Sequence, residues 1–148
     1  MTKLVYEQPL RIRWSHCDAA GIVYHPHYFT ILNNVMEDFF RNCVGLSYEK
    51  SLQTGIGFPI AGIRCDFCAP SRVGDDCTVR LWIEAMGKTS VRFAMTIFSG
   101  NECRLQCIET AVCAERQGKG IGKCEIPADL REKLAQYMPD QPPLDLRA

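Results

Sequence analysis

From residue 10 the chain alternates apolar and charged positions, Leu10-Arg11-Ile12-Arg13-Trp14, which is the period of a strand with one face buried. The period then lengthens. From Tyr28 onward Phe29, Leu32, Met36, Phe39, Phe40 and Cys43 recur at helical spacing, and Ile31 and Val35 widen the apolar surface beyond a single stripe. This predicts a helix over about 27–44, wrapped by other structure, with Gly45 as its C-terminal stop. Residues 46–54 read as a short helix with Ser47 as N-cap, ended by Gly55-Ile56-Gly57. Beyond Phe58 the pattern is that of strands, over 60–67, 77–86, 91–97 and 103–115. Turn chemistry at 68–76, the connection Gly87-Lys88-Thr89 and the run Ser99-Gly100-Asn101-Glu102 separate them. In the last strand Cys103, Leu105 and Cys107 alternate, then Ile108, Thr110, Val112 and Ala114 do, a change of phase that predicts a β-bulge near Cys107. Residues 117–122 form a glycine-rich turn. A terminal helix opens at Ile126-Pro127, carries Leu130, Leu134 and Tyr137 on one face, and stops at Pro139.

A strand, one long apolar helix and four consecutive strands with short connections predict an α+β domain, an antiparallel sheet curled around a helix. The 148 residues suit a single domain, with flexible ends expected over 1–7 and 140–148. One sheet on one helix leaves edge strands and an outer face uncovered. A homo-oligomer, a dimer at least and a tetramer by preference, is the expected completion.

Composition narrows the function classes. Lys plus Arg equals Asp plus Glu at 17 each, which removes the general electrostatic case for nucleic acid or an anionic membrane as partner. No apolar run approaches the ~20 residues of a membrane span, and the first residues lack the apolar segment of a secretory signal, so the expected location is cytoplasmic. Nine cysteines are scattered, with Cys65 and Cys68 as the one close pair. No second pair follows to complete a structural zinc site, and the strand context does not suit a redox motif, so they read as small buried or half-buried thiols.

All three histidines fall in 16–27, together with Asp18 just past the strand. Ala19, Ala20 and Gly21 allow a tight turn there, and Gly21 admits a positive φ. Drawn together, His16, Cys17, Asp18, His25 and His27 match no established zinc spacing, and no metal is expected. Taken alone, Asp18 reads more readily as a turn residue or helix cap, and His25 reads equally as a general acid or base, as a group orienting Asp18, or as a capping or surface histidine.

The run Cys17-Asp18-Ala19-Ala20-Gly21-Ile22-Val23-Tyr24-His25-Pro26-His27-Tyr28 closely resembles the active-site signature of the 4-hydroxybenzoyl-CoA thioesterases, members of the hotdog fold. That pattern is Asp, two small residues, Gly, two aliphatics, an aromatic, and a Tyr four residues on. Gly87-Lys88-Thr89-Ser90-Val91 is similar to the family's later segment that meets the nucleotide end of coenzyme A, and the order of elements agrees over about 8–127. The resemblance implies an acyl-CoA thioesterase in which Asp18 is nucleophile or general base. Backbone amides at Tyr24 and His25, at the start of the helix, would polarise the carbonyl. It implies substrate contacts at Gly21, Ile22, Val23, Asn33, Lys88, Thr89 and Ser90, and no cofactor beyond the coenzyme A of the substrate. Trp14 stands where some relatives acting on aliphatic acyl groups carry a Tyr, and Asn33 stands where the hydroxybenzoyl enzyme has a carboxylate. The expected acyl group is therefore small and aromatic, 4-hydroxybenzoyl- or benzoyl-like, or short and aliphatic. The alternative is a non-catalytic hotdog module that binds acyl-CoA or an acyl carrier.

Overall fold

The computed structural model describes residues 3–143. In chain order it holds β1 (Tyr6–Arg11), α1 (His25–Phe39), α2 (Tyr48–Thr54), β2 (Ile56–Gly57), β3 (Ile60–Phe67), β4 (Asp76–Met86), β5 (Ser90–Ser99), β6 (Glu102–Val112), β7 (Ala114–Gln117), β8 (Gly120–Lys123) and α3 (Ala128–Ala135). Five strands form an antiparallel sheet in the order β1-β4-β5-β6-β3, and β2-β7-β8 form a small second sheet. The large sheet curls around α1, the α+β hotdog arrangement that the pattern and the signature anticipate.

The core lies between α1 and the concave face of this sheet. Tyr28, Ile31, Leu32, Val35, Met36 and Phe39 of the helix are buried against Val79, Leu81 and Ile83 of β4, Phe93, Met95 and Ile97 of β5, and Leu105 of β6. Phe39 is wholly buried, with its ring 5.0–6.2 Å from those of Tyr6, Phe40, Phe93 and Tyr137. Burial of one such side chain contributes about 1.5–3 kcal/mol, so this row of rings fixes the helix on the sheet. After Phe39 the helix widens by one turn over Phe40–Val44 and ends at Gly45, whose φ of 76° only glycine adopts without strain.

Two sequence expectations shift. The first strand is Tyr6–Arg11, earlier than the alternation from Leu10 predicts, and Tyr6 and Glu7 pair with Leu81 and Arg80 instead of belonging to a flexible end. An edge strand tolerates Pro9, and Ile12 is then held between Gly74 and Asp75 by backbone hydrogen bonds of 2.8 and 2.9 Å. Residues 1–2 and 144–148, also expected as flexible ends, lie outside the described residues. The second shift concerns β6. Its irregularity lies at Arg104, between the pairs Ile97–Leu105 and Phe98–Cys103, while Cys107 sits in regular register opposite Met95 and Cys65. The apparent change of phase has another origin: Glu109 occupies an inward position, and Ile108 and Val112 occupy outward ones.

On the outer face Trp82 is wholly buried, with no hydrogen-bond partner for its indole N–H among the described residues. Trp14, by contrast, is 77% exposed. Beyond α3 the chain takes over the β4 edge where β1 ends, with the Ile83 amide donating to the Tyr137 carbonyl at 2.7 Å. Among the described residues no helix is long and apolar enough to cross a membrane.

Candidate active site

The loop between β1 and α1 is built by short-range hydrogen bonds. A single helical turn, Trp14–His16, brings the chain to Cys17, which bridges Val23. Between them Asp18 to Gly21 make a tight turn: the Gly21 amide donates to the Asp18 carbonyl at 2.9 Å, and the Asp18 amide donates to the Ile22 carbonyl at 3.1 Å. Gly21 has φ 75°, which accounts for glycine at this place. The Asp18 carboxylate is exposed and accepts from the Ala20 amide at 2.9 Å.

A second segment backs this loop. Ile22 bridges Arg72, the Val23 amide donates to the Ser71 carbonyl at 2.9 Å, and the Val73 amide donates to the Gly21 carbonyl at 3.3 Å. That segment is itself tied to the sheet by Arg104. The bulge in β6 re-aims its guanidinium, which donates to Asp75 at 2.7 Å, the Pro70 carbonyl at 3.0 Å and Ser71 at 3.3 Å. Arg104 and the Arg72 amide hold the Asp75 carboxyl below its usual range. A depressed carboxyl adds stability above its unfolded pKa and loses it as pH falls through the folded value. Asp75→Asn is therefore expected to unfold roughly 1–2 kcal/mol more easily at pH 7, a difference that vanishes in acid when urea unfolding is compared at pH 7 and pH 3.

The N-terminus of α1 opens beside the Asp18 turn. Tyr24 is the N-cap, without a side-chain cap, and Pro26 lies in the first turn. The Tyr24 amide donates to the His16 carbonyl at 3.0 Å and the His27 amide to the Tyr24 carbonyl at 2.8 Å. Pro26 has no N–H. Among the described residues nothing accepts from the His25 amide, which leaves it as the open donor at the positive end of the helix. His16 is fixed by the Arg13 amide, which donates to its Nδ1 at 2.9 Å, and burial, Arg13 and His27 lower its pKa, favouring the neutral ring. The exposed ring of Tyr24 meets those of His25 and His27 edge-on at 5.4 Å, and Phe67 at the end of β3 meets His25 at 6.2 Å and Tyr28 at 5.7 Å. Phe67 carried no signal in the sequence beyond its place in a strand.

Asn33 lies two turns further along α1, about 12 Å from His25 at 1.5 Å per residue. It borders a largely apolar cavity of about 520 Å³ whose walls include Met36, Phe40, Tyr48, Phe58 and Ala111. Lys88, Thr89 and Ser90 stand elsewhere. They form the turn after β4, whose other end is at Asp76 near the Asp18 loop, so the 11 residues of β4 put them about 30 Å from it in the same chain. Their carbonyls are engaged from the C-terminal side, by Ile126 and Arg131 on Lys88 and by Cys113 on Thr89. Gly21, Ile22, Val23, Tyr24, His25 and Asp18 thus lie together on one turn and helix start, Asn33 lines the cavity two helical turns away, and the 88–90 turn stands apart from both.

The model of a family described as the thioesterase-like superfamily matches residues 12–134. The 4-hydroxybenzoyl-CoA thioesterase of Pseudomonas sp. (strain CBS-3) is 26% identical over 129 residues, covering 82% of this chain and 92% of its own. The acyl-CoA thioester hydrolase YbgC of Escherichia coli O6:H1 is 23% identical over 112 residues, covering 76% of this chain and 83% of its own. Among solved structures, a gentisyl-coenzyme A thioesterase superposes with a TM-score of 0.74 at 26% identity, covering 86% of this chain and 99% of that one.

Proposed function

Because the chain belongs to the thioesterase-like superfamily, we propose that it hydrolyses an acyl-CoA to a carboxylic acid and free coenzyme A, with Asp18 and the His25 amide as its reacting pair. The observation that carries this reading is the open amide of His25, at a helix N-terminus beside an exposed carboxylate. The thioester carbonyl oxygen accepts from that amide, and the charge of the tetrahedral intermediate falls where the helix end is positive. Asp18 either attacks the carbonyl carbon or takes a proton from the water that does. Collapse expels the thiolate, a good leaving group, and the reaction needs water alone as co-reactant. Gly21, Ile22 and Val23 shape the turn that holds Asp18, Tyr24 caps the helix, and the acyl group, small and aromatic or short and aliphatic, lies against Tyr28 and Phe67 toward Asn33. Steady-state hydrolysis of a panel of such acyl-CoAs, followed with a thiol reagent, tests the proposal. Tight binding of acyl-CoA without turnover of any thioester would turn the reading toward a non-catalytic binding module.

A second copy of the chain completes the site in this proposal. On β3, Ile60, Ile63 and Phe67 are 42–51% exposed, and the strand is paired on one side only, by β6. Such an apolar edge is a template for another strand. Pairing through it makes at least a dimer, and higher assembly brings a neighbour's 88–90 turn to the phosphates of the substrate. Ile63→Lys is expected to shift the chain to monomer in sedimentation equilibrium and to lower activity in parallel, and a dimer that persists would refute this interface.

A further inference from the structure

Of the nine cysteines, the fold sets two face to face at a place that the thioesterase chemistry does not use. Cys113 is the residue between β6 and β7, and Cys124 follows β8. The last β7–β8 pair is Ala114–Lys123, so the register continues with Cys113 opposite Cys124, and the Cys124 amide donates to the Cys113 carbonyl at 2.9 Å. Directly opposed residues of an antiparallel pair carry their side chains on one face, and here the two Sγ atoms meet at 3.4 Å. Sulfurs in a disulfide stand about 2.05 Å apart, so these two need close by only about 1.4 Å, within reach of side-chain torsions.

The two thiols differ in access. Cys124 is half-buried, whereas Cys113 is wholly buried. Burial, then the hydrogen bond to Cys124, push the Cys113 thiol up, so that it keeps its proton against its neighbour's sulfur. A thiol that a solute can reach, backed by one that only its neighbour can reach, is the arrangement of an attacking and a resolving cysteine. The pair also lies at the base of the 88–90 turn. The Cys113 amide donates to the Thr89 carbonyl at 2.7 Å, and the Ile126 amide to the Lys88 carbonyl at 3.1 Å. A bond between Cys113 and Cys124 thus ties together the two segments that hold this turn.

We propose that Cys113 and Cys124 form a thiol–disulfide exchange site, which reacts with a small-molecule disulfide and ends as an intramolecular disulfide. The deprotonated Cys124 sulfur attacks one sulfur of the small disulfide. That S–S bond breaks, one half leaves as a thiolate and takes up the Cys124 proton, and the other half stays on Cys124 as a mixed disulfide. The Cys113 sulfur, giving up its proton, then attacks the Cys124 sulfur and expels the second half, which takes up that proton. Together the two cysteines lose two electrons, and the small disulfide is reduced to two thiols. The exchange does not depend on the hydrolysis of thioesters.

Glutathione disulfide is the probe, applied to the full chain, with alkylation of the remaining thiols and peptide mapping without reductant. Cleavage after Arg116, Lys119 and Lys123 separates Cys113 from Cys124 unless the two are bonded. The wild type is expected to yield linked Cys113 and Cys124 peptides that a dithiol reductant separates. Cys113→Ala is expected to retain at least about tenfold more glutathione on Cys124 than the wild type does, because the resolving sulfur is gone, and folded Cys124→Ser to leave Cys113 unmodified. Melting curves identify the folded variants, and the wild-type map decides the proposal even where a variant does not fold. Glutathione held on wild-type Cys124 beside a free Cys113 overturns it, as does an unreacted Cys124. A disulfide between Cys68 and Cys103, whose sulfurs are 3.8 Å apart, with Cys113 and Cys124 still free, overturns it too.

Discussion

Replacing Asp18 by Asn is expected to lower kcat on an acyl-CoA about a thousandfold, roughly 4 kcal/mol of transition-state stabilisation, with KM changed only a few-fold. The fold is expected to survive intact, because the Asn carboxamide oxygen accepts from the Ala20 amide as the carboxylate does and so preserves the turn. Only the ability to attack or to take a proton is lost. Steady-state rates and a melting curve on the same preparation check both halves, and a kcat within tenfold of the wild type would remove Asp18 from the reaction. A single turnover of the wild type in heavy-oxygen water divides the two roles. General-base catalysis puts the label in the acid product. Nucleophilic attack, with water then opening the anhydride at the Asp18 carbonyl, puts it in Asp18.

The second large effect concerns a backbone atom. His25→Pro removes the open N–H together with the ring but leaves the backbone in place, since proline suits the first position of a helix and Tyr24, with φ −70° and ψ 119°, already has the extended backbone required before proline. Loss of one oxyanion donor commonly lowers kcat by 10²–10³, about 3–4 kcal/mol, and that is the loss expected here. His25→Ala keeps the amide and removes the ring, so its rate reports the imidazole alone. Should His25→Ala fall as far as His25→Pro, with both folded, the ring and not the amide carries the effect. The Tyr24 amide, already donating to His16, does not substitute for it.

Much of this arrangement was legible in the sequence because its causes are local. The period of α1, the stop at Gly45, the N-cap at Ser47, which accepts from the Lys50 amide, and the turn at Gly21 each depend on residues within a few positions. What was misread depends on partners distant in the chain. The alternation at Leu10–Trp14 looked like a strand, but Ile12 is claimed by Gly74 and Asp75, which no local pattern reveals. The bulge is expected at Cys107 because the alternating set changes phase at Ile108, whereas in the fold Ile108 faces outward and Glu109 inward. The irregularity at Arg104 is instead set by its bonds to 70–75. Likewise Lys88, Thr89 and Ser90, singled out by resemblance to a family segment, do not stand beside Asp18 in one chain, since the length of β4, invisible to motif matching, separates them. Phe67 carried no signature, because what distinguishes it is the ring contacts with His25 and Tyr28 that only the fold brings about.

The two tryptophans offer a practical consequence. Trp82, sealed under the chain that follows α3, should emit at short wavelength and be out of reach of a collisional quencher, whereas Trp14, on the turn leading into Asp18, should emit at long wavelength and be quenched freely. One spectrum therefore carries two independent signals. Its blue component follows unfolding of the sheet, and its red component follows occupancy of the loop, so ligand titrations and denaturation can be read separately without attaching a dye.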